Sequence, residues 1–125
     1  MTEEITPVYC VLVPETPKKD ILAIASYIKK VLNAPIAAIN TVNRIEEQIQ
    51  KLELFPLRHP QYLNKYWDGE PVRFITVNNF IVFYIVKDRE QTVIIYRVAY
   101  GRVNTEKGYV KNPVVDPLTA LWSDL

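Results

Sequence analysis

The sequence predicts an α+β fold in which a helical hairpin packs on a mainly antiparallel sheet, in the order β-α-α-β-β-β. Two observations predict it. Between residues 16 and 52, apolar side chains recur at steps of three and four, which is typical of amphipathic helices. Between residues 72 and 102, three runs rich in β-branched and aromatic residues are separated by short polar turns, which is typical of antiparallel strands.

Length and composition indicate one domain over residues 1–125, with a core of about 8–107 and a C-terminal extension over 108–125. The 125 residues are 49% hydrophobic and 23% charged, a globular composition. The net charge is +1, so attraction to nucleic acid would need local clustering of basic residues. The N-terminus lacks the pattern of a signal peptide and no apolar run is long enough to span a membrane, so we expect a cytoplasmic location.

The first predicted element is a strand within residues 7–14, an apolar run with a proline at each end. It contains Cys10, the single cysteine of the chain. We expect this thiol to be buried and reduced, as free cysteines usually are.

Two amphipathic helices follow. Thr16 as N-cap and Pro17 in the first helical position predict the start of the first helix. Its apolar face comprises Ile21, Ile24, Ala25, Ile28, Val31 and Leu32. Pro35 predicts the start of the second helix, with a cap at Asn33 or Ala34. The apolar face of that helix comprises Ala38, Val42, Ile45, Ile49 and Leu52. So short a link predicts an antiparallel αα-hairpin.

Residues 55–71 contain three prolines and four aromatic residues without a regular period, which predicts a loop held in place by its rings. Three strands follow over residues 72–77, 80–86 and 92–102, and Asn78 and Asn79 form the first turn. The middle run is apolar throughout, as expected of a central strand that is paired on both edges and covered by helices.

Taken in order, these segments resemble the RelE/ParE superfamily, the toxins of type II toxin–antitoxin modules once described as plasmid-stabilisation proteins. The resemblance covers about residues 8–107. It rests on the helix "DILAIASYIKK", the "LELFP" exit of the second helix, the hairpin "VRFITVNNFIVFYIV" and the last strand "VIIYRVAYGR". It implies a cytoplasmic bacterial toxin that a cognate antitoxin neutralises, without a cofactor or metal.

The resemblance leaves more than one activity open. RelE-like members are ribosome-dependent endoribonucleases that cut messenger RNA with basic residues of the sheet and a C-terminal tyrosine. Here that set would be Arg73, Arg102 and Tyr109. Two positions at which the RelE-like branch carries arginine hold Ile81 and Val103 instead. Because phosphodiester cleavage requires neutralisation of the pentacovalent phosphate, the incomplete set disfavours this activity.

ParE-like members instead poison DNA gyrase through protein contact, and the long helical hairpin of this chain is closer to theirs. The preferred interpretation is therefore a non-enzymatic, ParE-like toxin. A RelE-like ribonuclease and a degenerate, non-toxic relative that binds an antitoxin remain as alternatives.

The predicted binding residues fall into two groups. Arg73, Arg97, Arg102 and Lys107 bracket the same sheet and could form one basic patch for an acidic antitoxin segment or a nucleic acid. Residues 116–125 predict a short C-terminal helix with Asp116 as N-cap and Pro117 in the first helical position, and its apolar stripe includes Leu118 and Trp122. A helix this short needs a surface to be stable. It would dock on its own sheet, cover the groove that an antitoxin would occupy, or reach a second subunit, which leaves a homodimer open.

The remaining polar and aromatic residues have structural interpretations. His59, the single histidine, is predicted to be a solvated loop residue without a nucleophile or metal ligands beside it. Tyr62, Tyr66 and Trp67 are predicted to pack their loop onto the core. The carboxylates Asp20, Glu46 and Glu47 are predicted to be solvated.

Overall fold

The computed structural model describes residues 6–106 and 109–115. Two helices, α1 (Glu15–Lys30) and α2 (Pro35–Gln50), pack on a six-stranded sheet. The strands are β1 (Cys10–Leu12), β2 (Gln61–Trp67), β3 (Glu70–Val77), β4 (Phe80–Lys87), β5 (Thr92–Glu106) and β6 (Tyr109–Val115). Their order is β1-β5-β4-β3-β2, and β6 also pairs with β5. Among the described strands β1 is parallel to β5 and the other pairs are antiparallel, which confirms the predicted α+β architecture.

The apolar run in β4 lies at the centre of the sheet, as predicted. It is paired with β3 and β5, and residues 80–86 are each at most 8% exposed. Val82 and Tyr84 pack in the cluster that includes the helices, whereas Ile81 and Phe83 pack in a second cluster that contains none of the helical residues. The run has no polar alternation because both of its faces are buried.

The helical hairpin is also confirmed. Its buried residues are Pro17, Asp20, Ile21, Ile24 and Ile28 of α1 and Ala38, Ile45 and Ile49 of α2. Val31 and Leu32, predicted on the apolar face of the first helix, follow the end of α1 and are exposed, so that part of the prediction was wrong. Ala34 is the N-cap of α2 and Pro35 its first residue, as predicted. The start of α1 differs: Pro14 holds the N-cap position, and its carbonyl accepts the first helical bond from the Lys18 amide. Thr16 therefore lies inside the helix, where it cannot act as the cap.

The predicted loop over residues 55–71 was wrong in its second half, because residues 61–67 form β2. This strand pairs with β3 through a turn at Asp68 and Gly69, whose φ angles are +51° and +80°. The register of β2 shifts between Gln61 and Tyr66, and Asn64 has a φ of +60°. This bulge disrupts the alternation of apolar residues that identifies a strand in a sequence.

Both ends of the sheet differ from prediction as well. Cys10 is exposed, because β1 directs Tyr9 and Val11 toward the core and Val8, Cys10 and Leu12 away from it. In the C-terminal extension, β6 pairs with the second half of β5. The helix predicted over residues 116–125 lies outside the described residues. No helix of the described chain is long and apolar enough to cross a membrane.

Candidate partner-binding surface

Arg97, a predicted binding residue, is bound to the first helix. Its Nε and Nη2 atoms donate to the carboxylate of Asp20 at 2.7 and 2.8 Å, and the amide of Val98 donates to the same carboxylate at 3.0 Å. Asp20 is 1% exposed, so the prediction that it is solvated was wrong. Hydrogen bonding to Asp20 raises the pKa of Arg97. A buried carboxylate is tolerated here because a bidentate guanidinium and an amide satisfy it.

Arg73, on β3, holds the segment that precedes the sheet. Its Nη1 atom donates to the carbonyls of Leu57 and His59 at 3.0 and 2.7 Å. The neighbouring amide of Phe74 donates to the carbonyl of Pro60 at 3.1 Å. The strand of Arg73 is separated from that of Arg97 by β4, and both guanidinium groups bind parts of their own chain.

Below this segment lies a buried tyrosine. The hydroxyl of Tyr84 donates to the carbonyl of Pro56 at 2.6 Å, and burial raises the pKa of Tyr84 well above its ordinary value. The His59 ring stands edge-on to the Tyr84 ring, with centroids 6.3 Å apart. Burial, then the charges of Arg58 and Arg73, lower the pKa of His59. His59 is thus half-buried rather than solvated as predicted, and it packs against the core.

The helices and the sheet enclose an apolar groove, here named the inner groove. Its volume is about 460 Å³. Ile24, Ile28 and Leu32 line its helical side, and Asn79, Phe80 and Tyr100 line its sheet side. The Phe80 and Tyr100 rings meet edge-on with centroids 5.6 Å apart. Sequence reasoning missed this groove because its walls come from three separate parts of the chain.

The end of the hairpin carries an exposed apolar patch, here named the hairpin-tip surface. Its members are Val31, Leu32, Ile36 and Ile39, and their side chains are 56–74% exposed. Beside it, a cleft of about 450 Å³ runs between α1 and α2, with Lys29 and Lys30 in its wall. Contiguous exposed apolar residues mark interaction sites in soluble proteins. Ile36 and Ile39 do not belong to the predicted apolar face of the second helix. Their place outside that face was the signal in the sequence that could have predicted their exposure.

Residues 11–104 match the model of the family described as the ParE toxin of type II toxin–antitoxin systems, parDE. The chain belongs to the ParE toxin family. The predicted RelE/ParE resemblance is thereby confirmed. The comparison with curated proteins gives no match.

Two solved structures share the fold of this ParE-family toxin. The first, the chromosomal ParDE system from P. aeruginosa, superposes with a TM-score of 0.60 at 22% identity and covers 76% of this chain and 98% of that one. The second, the RelBE2 toxin–antitoxin complex from Mycobacterium tuberculosis, has a TM-score of 0.50 at 20% identity and covers 79% of this chain and 97% of that one. At these identities the likeness supports the architecture.

The residues of the predicted ribonuclease set lie on three strands of the ParE-family toxin, Arg73 on β3, Arg102 on β5 and Tyr109 on β6. Ile81 is fully buried in β4, and Arg73 binds loop carbonyls. Arg102 lies in β5 opposite Val114, and Tyr109 opens β6. The remaining predicted binding residues, Lys107, Leu118 and Trp122, lie outside the described residues, so the basic patch and the C-terminal contact stay predictions.

Aromatic side chains of β2 pack on the sheet in two of the three predicted cases. The ring centroids of Tyr62 and Phe83 are 5.2 Å apart, and those of Trp67 and Tyr96 are 4.8 Å apart. Tyr66 is 64% exposed, so its predicted packing role was wrong. The bulge in β2 accounts for this difference, since it changes which residues of the strand face the sheet.

Proposed function

We propose that this ParE-family toxin acts by binding a protein target, DNA gyrase, and that a cognate antitoxin neutralises it. The main support comes from the sheet residues that a ribonuclease would need to bind its substrate. Ile81 is fully buried where the RelE-like branch carries arginine, and Arg73 is bonded to two carbonyls of its own chain. Stabilising a pentacovalent phosphate requires cationic groups that can reach it. Action through protein contact needs no such set.

The experiment that tests the target is a supercoiling assay. Purified gyrase is incubated with plasmid and the purified toxin, with and without a cognate antitoxin. We expect the toxin to inhibit supercoiling and the antitoxin to restore it. Growth arrest on induction together with unaltered supercoiling would contradict the proposal.

A second assay in the same induced cells addresses the alternatives. Primer extension on cellular messages should show intact transcripts. Codon-phased cuts would instead favour the ribosome-dependent ribonuclease. Normal growth with retained antitoxin binding would favour a non-toxic relative.

In this proposal the antitoxin binds the hairpin-tip surface and the adjoining cleft. The four apolar side chains of the tip are more than half exposed, and Lys29 and Lys30 stand beside them. An apolar patch with a basic margin fits an amphipathic helix whose polar face is acidic. That both solved neighbours come from toxin–antitoxin systems supports a partner of this kind.

Charge reversal tests this contact. The double variant Lys29→Glu/Lys30→Glu should weaken antitoxin binding about tenfold or more, because like charges then face each other. The matched control is Lys18→Glu/Lys19→Glu, which makes the same change at the other end of α1, where both lysines are also exposed. Calorimetric titration measures both. Equal losses of antitoxin affinity in the two double variants would show that binding depends only on the overall charge.

A further inference from the structure

The turn that follows α2 holds a large aromatic residue in an unfavourable backbone conformation. Phe55 has a φ of +50° and a ψ of +50°, which is the left-handed helical region. Among the described residues, the others with positive φ are asparagine, aspartate, glutamine and glycine. A bulky residue adopts this conformation only where the surrounding structure imposes it, and such strain is concentrated at functional sites.

The same turn leaves apolar side chains on the surface. Phe55 is 58% exposed, and its neighbours Leu54 and Leu57 are 39% and 46% exposed. Residues 54–58 are here named the Phe55 loop. The loop borders a cavity of about 260 Å³, which is lined by Pro7, Tyr9 and residues 55–58. An exposed ring beside a small apolar cavity is the arrangement in which a partner inserts an anchoring side chain.

Hydrogen bonds from the sheet hold the Phe55 loop in one conformation. The hydroxyl of Tyr84 donates to the carbonyl of Pro56 at 2.6 Å. The Nη1 atom of Arg73 donates to the carbonyl of Leu57 at 3.0 Å and to that of His59, just beyond the loop, at 2.7 Å. A surface that is fixed before binding loses little conformational entropy when a partner docks on it.

The charge of the Phe55 loop indicates the chemistry of its partner. Arg58 is exposed and is the charged residue among those that line the cavity. Arg73 adds a second positive charge nearby, and both arginines lower the pKa of His59. One exposed cation beside apolar walls suits a protein segment in which a carboxylate stands next to an apolar side chain. A nucleic acid would instead need several basic residues along its phosphates.

The Phe55 loop is remote from the hairpin-tip surface. Ile36 of the hairpin-tip surface lies in the first turn of α2, whereas the loop follows the last turn of that helix. With 16 residues, α2 is about 24 Å long. The loop and the surface proposed for the antitoxin therefore stand at opposite ends of one helix.

We propose that the Phe55 loop is the surface through which the toxin binds its protein target. The Phe55 ring and the cavity beside it engage an apolar side chain of the target, and Arg58 pairs with a neighbouring carboxylate. The strain at Phe55 is thus retained for binding and not for folding. This inference rests on the proposed function in that the toxin acts by protein contact, but it does not require the target to be gyrase.

Phe55→Gly separates target binding from folding. Glycine adopts a positive φ without strain, so the midpoint of urea denaturation should equal or exceed that of the parent. Loss of the ring should abolish growth arrest on induction and raise the toxin concentration that half-inhibits gyrase by about tenfold or more. Antitoxin affinity, measured by calorimetric titration, should stay within about twofold of the parent value, because the two surfaces are far apart. Phe55→Asn, which also tolerates positive φ, should behave in the same way.

Two further comparisons control for general surface effects. Tyr66→Ala removes a ring that is 64% exposed on β2 and should leave growth arrest unchanged. Arg58→Glu should weaken inhibition of the target about tenfold, because like charges then face each other. Arg44→Glu makes the same change at an exposed position of α2 and should retain parental inhibition.

Several results would overturn the proposal. Parental growth arrest by folded Phe55→Gly would show that the ring contacts no target. A large loss of antitoxin affinity in that variant would assign the loop to the antitoxin. A parental dimer that dissociates in Phe55→Gly, seen by light scattering, would identify a second copy as the partner.

The failure of the proposed target is distinguishable from the failure of the loop. Growth arrest that Phe55→Gly abolishes, together with supercoiling that the parent leaves unaltered, would support the loop and refute gyrase. A parent that does not arrest growth would refute both.

Discussion

At the scale of single residues, one buried carboxylate joins the first helix to the sheet. Asp20 binds both the guanidinium of Arg97 and the amide of Val98, so one side chain connects α1 to β5. Its position carries a signal that sequence reasoning overlooked. Asp20 precedes Ile24 and Ile28 at steps of four, so it lies on the apolar stripe of α1. A charged residue on such a stripe predicts a buried partner.

Removing this carboxylate should destabilise the protein strongly. Asp20→Ala leaves the Arg97 charge partly buried without its carboxylate, and we expect a loss of about 3 kcal/mol in the free energy of unfolding. Replacing both partners with apolar residues, Asp20→Leu with Arg97→Met, should cost much less, because no charge is then left uncompensated. Urea denaturation measures both variants. A double variant less stable than Asp20→Ala would contradict this account.

His59 should make stability depend on pH in the mildly acidic range. Burial and the neighbouring arginines lower its pKa in the folded state, so the unfolded chain binds the proton more tightly. The contribution of neutral His59 to the free energy of unfolding is therefore fully present above the unfolded pKa of about 6.5, and it is lost as the pH falls below that value. Urea denaturation between about pH 5 and pH 8 should show a steeper acid loss in the parent than in His59→Asn. Parallel profiles for the two proteins would rule out this assignment.

At the scale of elements, β4 shows why this sheet tolerates few changes in its middle. The strand is paired along both edges and packed on both faces, and Ile81 lies in the cluster that contains none of the helical residues. A residue in that position has no route to solvent. The position at which the resemblance predicts an arginine in RelE-like members is thus part of the core of this chain.

Placing an arginine at position 81 should therefore destabilise the fold and should not create a nuclease. Ile81→Arg buries a charge without a partner, and we expect a loss of about 4 kcal/mol or more, or failure to fold. Ile81→Val is the matched control and should cost about 1 kcal/mol. Soluble yield and circular dichroism compare the two. A folded Ile81→Arg protein with near-parental stability would show that this site can open.

At the scale of the whole molecule, some large apolar residues are exposed at positions that do not contribute to the core. The core cluster between the hairpin and the sheet does not include Ile36 and Ile39, which lie at the hairpin tip and are 74% and 61% exposed. Exposed residues of this kind contribute little to stability and much to association. The hairpin tip is where we expect selection for binding to act.

Replacing these isoleucines should separate binding from folding. Ile36→Glu with Ile39→Glu should change the free energy of unfolding by less than about 1 kcal/mol, since both side chains are solvated. The same change should abolish rescue of growth by a co-expressed antitoxin. Leu22→Glu is the control, because Leu22 is 69% exposed on α1. Loss of rescue in the control as well would indicate a general effect of added negative charge.

The sequence by itself determined the hairpin, the central strand and the family. The hairpin and the central strand each depend on a local pattern: steps of three and four between residues 21 and 52, and an apolar run over residues 80–86. The family was identified from the resemblance of the segments taken in order. Backbone geometry converts such patterns directly into a buried face, so they can be recognised without knowing what covers them.

The tertiary structure alone decided which groups meet. The pairing of Asp20 with Arg97 spans 77 positions, and the walls of the inner groove come from the hairpin, a turn and β5. Pairing with β3 likewise determined that residues 61–67 form a strand, and the outward-facing position of Cys10 in the edge strand β1 determined that it is exposed. No local pattern encodes these outcomes, because contacts between distant segments depend on how the whole chain packs.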